Sequence, residues 1–135
     1  MIKGIGIDSV EIKRFSDWAN QPKDKLQKIF SDHEIDYCLE TPKKSPERFA
    51  ARFAVKEAFF KALSQVLPSH EVPFLTVCKS VSIQQEDNGN PQLIVEWDLL
   101  TEKGKEKIKS EAKPLVSITH TVDTATALVI VEKLQ

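Results

Sequence analysis

The chain has 135 residues, 41% of them hydrophobic and 29% charged, which is the size and balance of one globular domain with its own core. Nineteen basic and twenty acidic residues give a net charge of −1, which argues against nucleic-acid binding, and no apolar run is long enough to span a bilayer. Asp8 and Glu11 interrupt any signal-type apolar segment near the start, and the two cysteines lack metal-type spacing. We therefore expect one domain over residues 1–135, with no membrane or nucleic-acid partner and a cytoplasmic location.

The first predicted element is a strand from Ile2 to Val10. In a strand, Gly4, Gly6 and Asp8 share one face, so a carboxylate ends a surface without side chains. This face suits the close approach of a ligand. It equally suits a second backbone, with Asp8 acting only as a cap.

Two helices are predicted before residue 41. A short amphipathic helix follows Glu11 and ends near Asn20 and Pro22. Ser31 and Glu34 then have the spacing of a capping box, which predicts a helix from Asp32 to about residue 40.

A longer helix is predicted from Ser45, as its cap, to Leu63. Phenylalanine and alanine form an apolar stripe along it, which indicates packing against a core. Four charged residues interrupt this stripe: Arg52, Lys56, Glu57 and Lys61. They form two i, i+4 pairs, and such a strip suits a phosphate held through a divalent metal. The alternative is a solvated face with an ordinary salt bridge. Lys43 and Lys44, just before the helix, are candidates for an anionic substrate or simply solvated charges.

The second half of the chain is predicted to be mostly strand. A strand over residues 78–84, an Asn88-Gly89 turn and a returning strand over residues 92–97 form a hairpin. A surface helix is predicted from Thr101 to Ala112, ended by Pro114.

The last two strands surround a turn at Val122-Asp123 and should join the sheet of the first strand. His120 shares a face with Val116 and Ile118, so it is either a hydrogen-bonded core histidine or a site residue at a strand end. The fold class that these elements predict is α+β, a compact domain with a mainly antiparallel sheet packed against a long central helix.

Three separated stretches carry a family resemblance: GIGIDSVEIKRF, RFAARFAVKEAFFKAL and VSITHTVDTATALVIVE. In this order and spacing, they resemble the holo-acyl-carrier-protein synthases, which are 4'-phosphopantetheinyl transferases. The resemblance implies that the phosphopantetheine arm of coenzyme A moves to a serine of apo acyl carrier protein. Adenosine 3',5'-bisphosphate would be released, with Mg²⁺ as the cofactor.

The resemblance also implies site residues. Asp8 and Glu57 match the two metal-binding carboxylates, and Lys61 matches the lysine at the coenzyme A phosphates. Asp8, Glu57 and Lys61 are thereby the predicted catalytic group. Glu57, directly or through a metal-bound water, is the candidate acceptor of the serine proton, and a metal-bound hydroxide acting with Asp8 is the competitor. The remaining carried-over roles are coenzyme A binding by Arg52, Lys56, Lys61, His120 and Thr121, and carrier-protein binding by Arg14.

The family resemblance further implies a homotrimer with active sites between subunits. The chain departs from the family pattern after its long helix, where Ser64, Gln65, Val66 and Leu67 replace a glycine-rich turn, and at Asn90, where a basic residue is common. The alternative function is therefore a non-catalytic module that binds carrier protein and has lost turnover.

Overall fold

A computed structural model describes residues 1–67, 72–85, 88–100 and 112–133. The helices are α1 (Lys23–Leu26), α2 (Asp32–Leu39), α3 (Ser45–Val66) and α4 (Phe74–Ser80), and the strands are β1 (Ile2–Glu11), β2 (Val81–Gln85), β3 (Pro91–Val95), β4 (Ala112–His120) and β5 (Thr124–Lys133). Short 3-10 helices cover Ile12–Phe15, Trp18–Asn20, Pro42–Lys44 and Trp97–Leu99. Within these residues, no helix is both long and apolar enough to cross a membrane.

The strands form two antiparallel sheets. The larger has the order β1-β5-β4, and the smaller is the β2-β3 hairpin. The last two strands therefore join the sheet of the first, as predicted. The α+β class with α3 packed on the sheet is confirmed.

Glycines in β1 allow α3 to lie directly on the strand. A Cβ at Gly4 would overlap the carbonyl oxygen of Ala62, and one at Gly6 would overlap that of Ala58. The packing interpretation of this glycine face is thus correct at Gly4 and Gly6. The strand then continues one residue pair further and presents Asp8 beside the helix.

The core gathers around α3. Phe49, Phe53 and Phe59 are buried on it, and tilted or edge-on ring contacts link the first two to Phe15, Trp18 and Phe30. Such contacts contribute about 0.5–1.5 kcal/mol per pair beyond burial. Cys38 and Cys78 are free and buried, and burial raises the pKa of each thiol to about 12.

Four local predictions are wrong. The returning strand predicted to reach Trp97 ends at Val95, and Trp97 begins a 3-10 helix. Ser45 is the first helical residue rather than the cap, because its hydroxyl donates to the Cys38 carbonyl. Residues 78–80 end α4 instead of beginning a strand, and Ser80 donates back to Val77. Ala112, predicted as helix, begins β4, and Pro114 lies within that strand. The rest of the predicted 101–112 helix lies outside the described residues.

Candidate active site

Asp8, Glu57 and Lys61 form the first site, here called the carboxylate cluster. The Lys61 ammonium lies 3.2 Å from Asp8 Oδ1 and donates to the Ile7 carbonyl at 2.9 Å. The Asp8 side chain is 17% exposed and that of Lys61 is 51% exposed, so the cluster opens to solvent on the lysine side. The two predicted carboxylates and the lysine are therefore together in space.

Glu57 is electrostatically strained within this cluster. Desolvation by burial, followed by the negative charge of Asp8, raises the pKa of the Glu57 carboxyl, while Lys61 and Arg14 lower it. The net direction is upward, so burial and Asp8 together outweigh the two cationic neighbours. A cation placed between them would relieve this repulsion.

The donor set fits a divalent cation that takes oxygen ligands. Asp8 and Glu57 supply carboxylate oxygens, which Mg²⁺ prefers. Among the described residues, no group of three His, Cys, Asp or Glu side chains gathers to hold a metal. Two carboxylates leave positions for water and substrate oxygens, as is usual where Mg²⁺ also binds a phosphate.

Arg14 lies beside the carboxylate cluster. Its guanidinium stands 5.0 Å from the Phe53 ring centroid and 5.6 Å from that of Phe15, and its charge reaches Glu57. The residue itself is exposed. It is therefore available to a partner that approaches the carboxylates from solvent.

A second site, the basic pocket, is an open depression of about 240 Å³. Its charged lining residues are Lys44, Glu47, Arg48, Arg52 and His120, and Tyr37 forms part of the wall. The pocket brings together Arg52 and His120, two residues predicted to bind coenzyme A, and one of the two candidate lysines. Lys43 is exposed and is not part of this lining.

Tyr37 holds two guanidinium groups in this pocket. Arg48 lies 4.0 Å and Arg52 4.1 Å from its ring centroid, and Arg48 also donates to the Tyr37 carbonyl at 2.7 Å. Arg52 is 6% exposed, and its buried Nε has no hydrogen-bond partner within the described part of the chain. An unsatisfied buried donor on a cation favours an anion in the pocket.

His120 lies at the mouth of the pocket rather than in the core. Its Nε2 is 3.1 Å from Glu47 Oε1, and its side chain is 48% exposed. The strand-end interpretation is therefore the correct one of the two for its position. Thr121 has a different role, since its hydroxyl accepts the backbone N–H groups of Asp123 and Thr124 and so shapes the β4–β5 turn.

Lys56 does not reach either site, and the prediction that it binds coenzyme A is wrong on position. Its ammonium is fully buried, 3.0 Å from Glu34 Oε1, and it donates to the carbonyls of Cys78 and Val81 at 2.8 and 2.7 Å. These three acceptors use all three ammonium protons. Glu34 also accepts from the backbone N–H of Ser31 and of Ile83. Lys56 thus joins α3 to α2, α4 and β2.

The carboxylate cluster and the basic pocket lie on different faces of α3. At 3.6 residues per turn, Arg52 and Glu57 are separated by about 140° around the helix axis. Arg52 faces Tyr37 of α2, while Glu57 faces the side of Asp8 on β1.

Sequence reasoning missed Arg48 and Tyr37. Arg48 precedes Arg52 by four residues and so continues its helical face, which was a usable signal. Tyr37 had no such signal, because its ring meets α3 only through the packing of α2.

Comparisons with known proteins show which family the chain resembles. Residues 4–127 match the family model of the 4'-phosphopantetheinyl transferase superfamily. The chain is 36% identical over 135 residues to the holo-[acyl-carrier-protein] synthase of Treponema denticola, covering 98% of this chain and 99% of that one. It is 35% identical over 135 residues to that of Bacillus subtilis, with 99% and 98% coverage.

A solved structure is also similar. A holo-(acyl-carrier-protein) synthase from Bacillus anthracis, in complex with CoA (3',5'-ADP), aligns with a TM-score of 0.70 at 30% identity, over 98% of each chain. On the match over residues 4–127 and the full-length relatives, the chain belongs to the 4'-phosphopantetheinyl transferase superfamily.

Proposed function

We propose that this protein transfers the 4'-phosphopantetheine arm of coenzyme A to a serine of apo acyl carrier protein, releasing adenosine 3',5'-bisphosphate. The observation that carries the proposal is the meeting of Asp8, Glu57 and Lys61 at one exposed place, in a chain whose full-length relatives are holo-acyl-carrier-protein synthases. A module that only bound carrier protein would not require two carboxylates beside each other at the cost of a raised Glu57 pKa.

The cofactor that fits this cluster is Mg²⁺, held by Asp8 and Glu57. When bound, it would neutralise the pyrophosphate of coenzyme A and the charge that develops on the leaving bisphosphate. Lys61 is placed to contact the same phosphates, since half of its side chain is exposed. Glu57 is our candidate to accept the proton of the attacking serine, directly or through water, because burial and the charge of Asp8 raise the pKa of its carboxyl and so favour its taking up a proton.

The basic pocket is proposed to bind the nucleotide part of coenzyme A. Two guanidiniums on one tyrosine ring, with Lys44 and His120 at the side, suit a phosphate monoester that takes paired hydrogen bonds. The unpartnered Nε of Arg52 supports this assignment. Glu47, which lines the same pocket, contacts the His120 imidazole and so can orient it.

Arg14 is proposed to meet the carrier protein. It is exposed and lies beside the carboxylate cluster. Cation–π contacts with the rings of Phe15 and Phe53 hold its charge at a fixed place. A serine delivered to Glu57 would bring the carrier's surface against this guanidinium. The predicted cytoplasmic location stays a prediction.

A homotrimer is proposed as the working assembly, with each site shared between two subunits. One face of the β1-β5-β4 sheet packs on α3, and the other presents a cross-strand row of Ile5, Ile130 and Leu115, in which Ile5 is 50% and Leu115 44% exposed. Ile7, beside this row, is 59% exposed. An apolar row of this kind suits burial against further copies of the chain. Sharing also explains how one ligand could use two sites on different faces of α3.

The test is the mass of purified apo acyl carrier protein after incubation with this protein, coenzyme A and Mg²⁺. We expect a gain of one phosphopantetheine group that disappears when the metal is chelated.

Asp8→Ala and Glu57→Ala should each reduce transfer by about a hundredfold or more, with an unchanged circular dichroism spectrum. No mass gain, with carrier binding still detectable, would favour the non-catalytic module instead. Near-normal transfer by either variant would remove that residue from the metal site.

A further inference from the structure

Gln65 pairs with the backbone of β1. Its Oε1 accepts the Ile5 N–H and its Nε2 donates to the Ile5 carbonyl, both at 3.0 Å. The residue lies on the last turn of α3, in the segment Ser64 to Leu67 that departs from the family pattern. The helix continues through this segment as far as Val66. The Gln65 side-chain amide pairs with Ile5 as a peptide group of a neighbouring strand would.

This contact occupies the open edge of the larger sheet. In the described residues, β1 pairs with β5 on one side only. Backbone groups alternate sides along a strand, so those of Ile5 and Ile7 point away from β5. Gln65 satisfies both groups of Ile5, and Lys61, one helical turn earlier, satisfies the carbonyl of Ile7.

The position of β1 along the axis of α3 depends largely on hydrogen bonds, because the face of the strand that meets the helix has few side chains. Gly4 and Gly6 contact the backbone of Ala62 and Ala58, and smooth surfaces of this kind resist sliding poorly. The pairing with β5 is also irregular between Ile2 and Gly4, immediately before Ile5. Together with the regular pairing to β5 from Ile5 onward, the two side-chain contacts at Ile5 and Ile7 hold the part of the strand that leads to Asp8.

We propose that Gln65 is a positioning residue that sets where Asp8 stands relative to Glu57 and Lys61. It does not touch substrate; it acts through β1. The inference rests on the proposed function, in which Asp8 and Glu57 share a metal. It predicts that loss of the Gln65 amide weakens metal binding more than it slows the chemical step.

The test compares Gln65→Ala with Gln92→Ala, which removes an exposed glutamine from the small sheet. We expect amide hydrogen exchange at Ile5 to speed up in Gln65→Ala alone. The Mg²⁺ concentration for half-maximal transfer should rise about tenfold or more, as for lost outer-shell partners, with the rate at saturating metal within a few fold of wild type. Gln65→Glu keeps the acceptor for the Ile5 N–H but loses the donor to the Ile5 carbonyl. Its Mg²⁺ concentration for half-maximal transfer should therefore lie between those of the wild type and Gln65→Ala.

Two results would overturn the proposal: unchanged exchange at Ile5 in Gln65→Ala, or faster exchange with an unchanged metal dependence. The second would leave Gln65 a purely structural contact. Failure of the proposed function is a separate result, because it would show as no transfer by the wild-type protein. In that case, calorimetric titration of wild type and Gln65→Ala with Mg²⁺ alone decides the same question, and equal affinities would overturn the inference.

Discussion

At the scale of single residues, burial and contacts give different roles to four charged residues of α3: Arg52, Lys56, Glu57 and Lys61. Glu57 and Lys61 face β1 and solvent, Arg52 faces an open pocket, and Lys56 is enclosed. Burial and the charge of Asp8 both oppose the ionisation of Glu57 and raise its pKa. The effect of the ionised Glu57 on the free energy of unfolding therefore has a definite sign.

Glu57→Gln should stabilise the metal-free protein at neutral pH. The folded pKa of Glu57 is raised, so the unfolded chain loses the proton first as the pH rises, and stability falls between the ordinary glutamate pKa and the raised value. Above that window the loss is complete, and below it the loss is absent. Thermal melts in chelator should therefore show a modestly higher Tm for Glu57→Gln at pH 7, with the difference vanishing at about pH 4.

The control for this experiment is Glu96→Gln, at an exposed glutamate. Saturating Mg²⁺ should reverse the order, since the wild type alone keeps both carboxylate ligands. A lower Tm for metal-free Glu57→Gln would contradict the repulsion that we describe.

The contrast between Lys56 and Lys61 shows what the sequence can and cannot predict about the site. The i, i+4 spacing of Glu57 and Lys61 put them on one face, and the family resemblance added Asp8. Lys56 belongs to the same motif, yet its partner Glu34 lies on another helix. The sequence had already assigned Glu34 to the capping box of α2, so nothing indicated a second role. Local spacing cannot reveal that one carboxylate both caps a helix and neutralises a buried lysine.

At the scale of elements, the buried pair of Lys56 and Glu34 fastens four elements together. Glu34 belongs to α2, Lys56 to α3, and the carbonyls that the lysine binds belong to the end of α4 and the start of β2. A pair that is fully removed from water contributes little net free energy, but removal of one partner leaves the other charge unpaired.

Lys56→Ala should lower the free energy of unfolding by about 3–5 kcal/mol, as found when one member of a buried ion pair is removed. Glu34→Ala should lower it by a similar amount. The double variant Lys56→Met with Glu34→Leu should recover only part of the loss, because the Cys78 and Val81 carbonyls and the Ser31 and Ile83 N–H groups lose their side-chain partners. Urea titration followed by circular dichroism measures this, with Lys28→Ala at an exposed position as the control. In the fraction that remains folded, the KM for coenzyme A should stay near the wild-type value. A large KM change with full stability would return Lys56 to the binding site.

Elements were predictable from sequence where their signals were local. The capping box at Ser31, the Asn88-Gly89 turn and the terminal hairpin were found because adjacent residues specify them. Ser45 was misjudged because its hydroxyl bonds to Cys38, seven residues away. The division into two sheets was missed for the same reason, since strand pairing depends on contacts between distant segments.

At the scale of the whole molecule, a single chain presents two separate sites and an apolar sheet face. The carboxylate cluster and the basic pocket are separated around α3, and the outer face of β1-β5-β4 exposes Ile5 and Ile7. A coenzyme A molecule bound across two subunits would use the carboxylates of one and the guanidiniums of its neighbour. The proposed assembly and the proposed chemistry therefore depend on each other.

Mixed trimers test this dependence. Glu57→Gln inactivates the carboxylate cluster, and Arg52→Met inactivates the basic pocket while keeping the packed stem of the arginine. If each site draws on two chains, co-expression of the two inactive variants in equal amounts should restore about a quarter of the wild-type transfer, because random assembly leaves that share of sites without either substitution. If each site belonged to one chain, every site would carry a substitution and no activity would return.

Adding Ile7→Glu to both variants places a charge on the exposed apolar face and should abolish the recovery. Recovery that survives Ile7→Glu would show that this face is not the interface. Absence of recovery from trimers of confirmed mixed composition would place the carboxylate cluster and the basic pocket of each active site in one subunit.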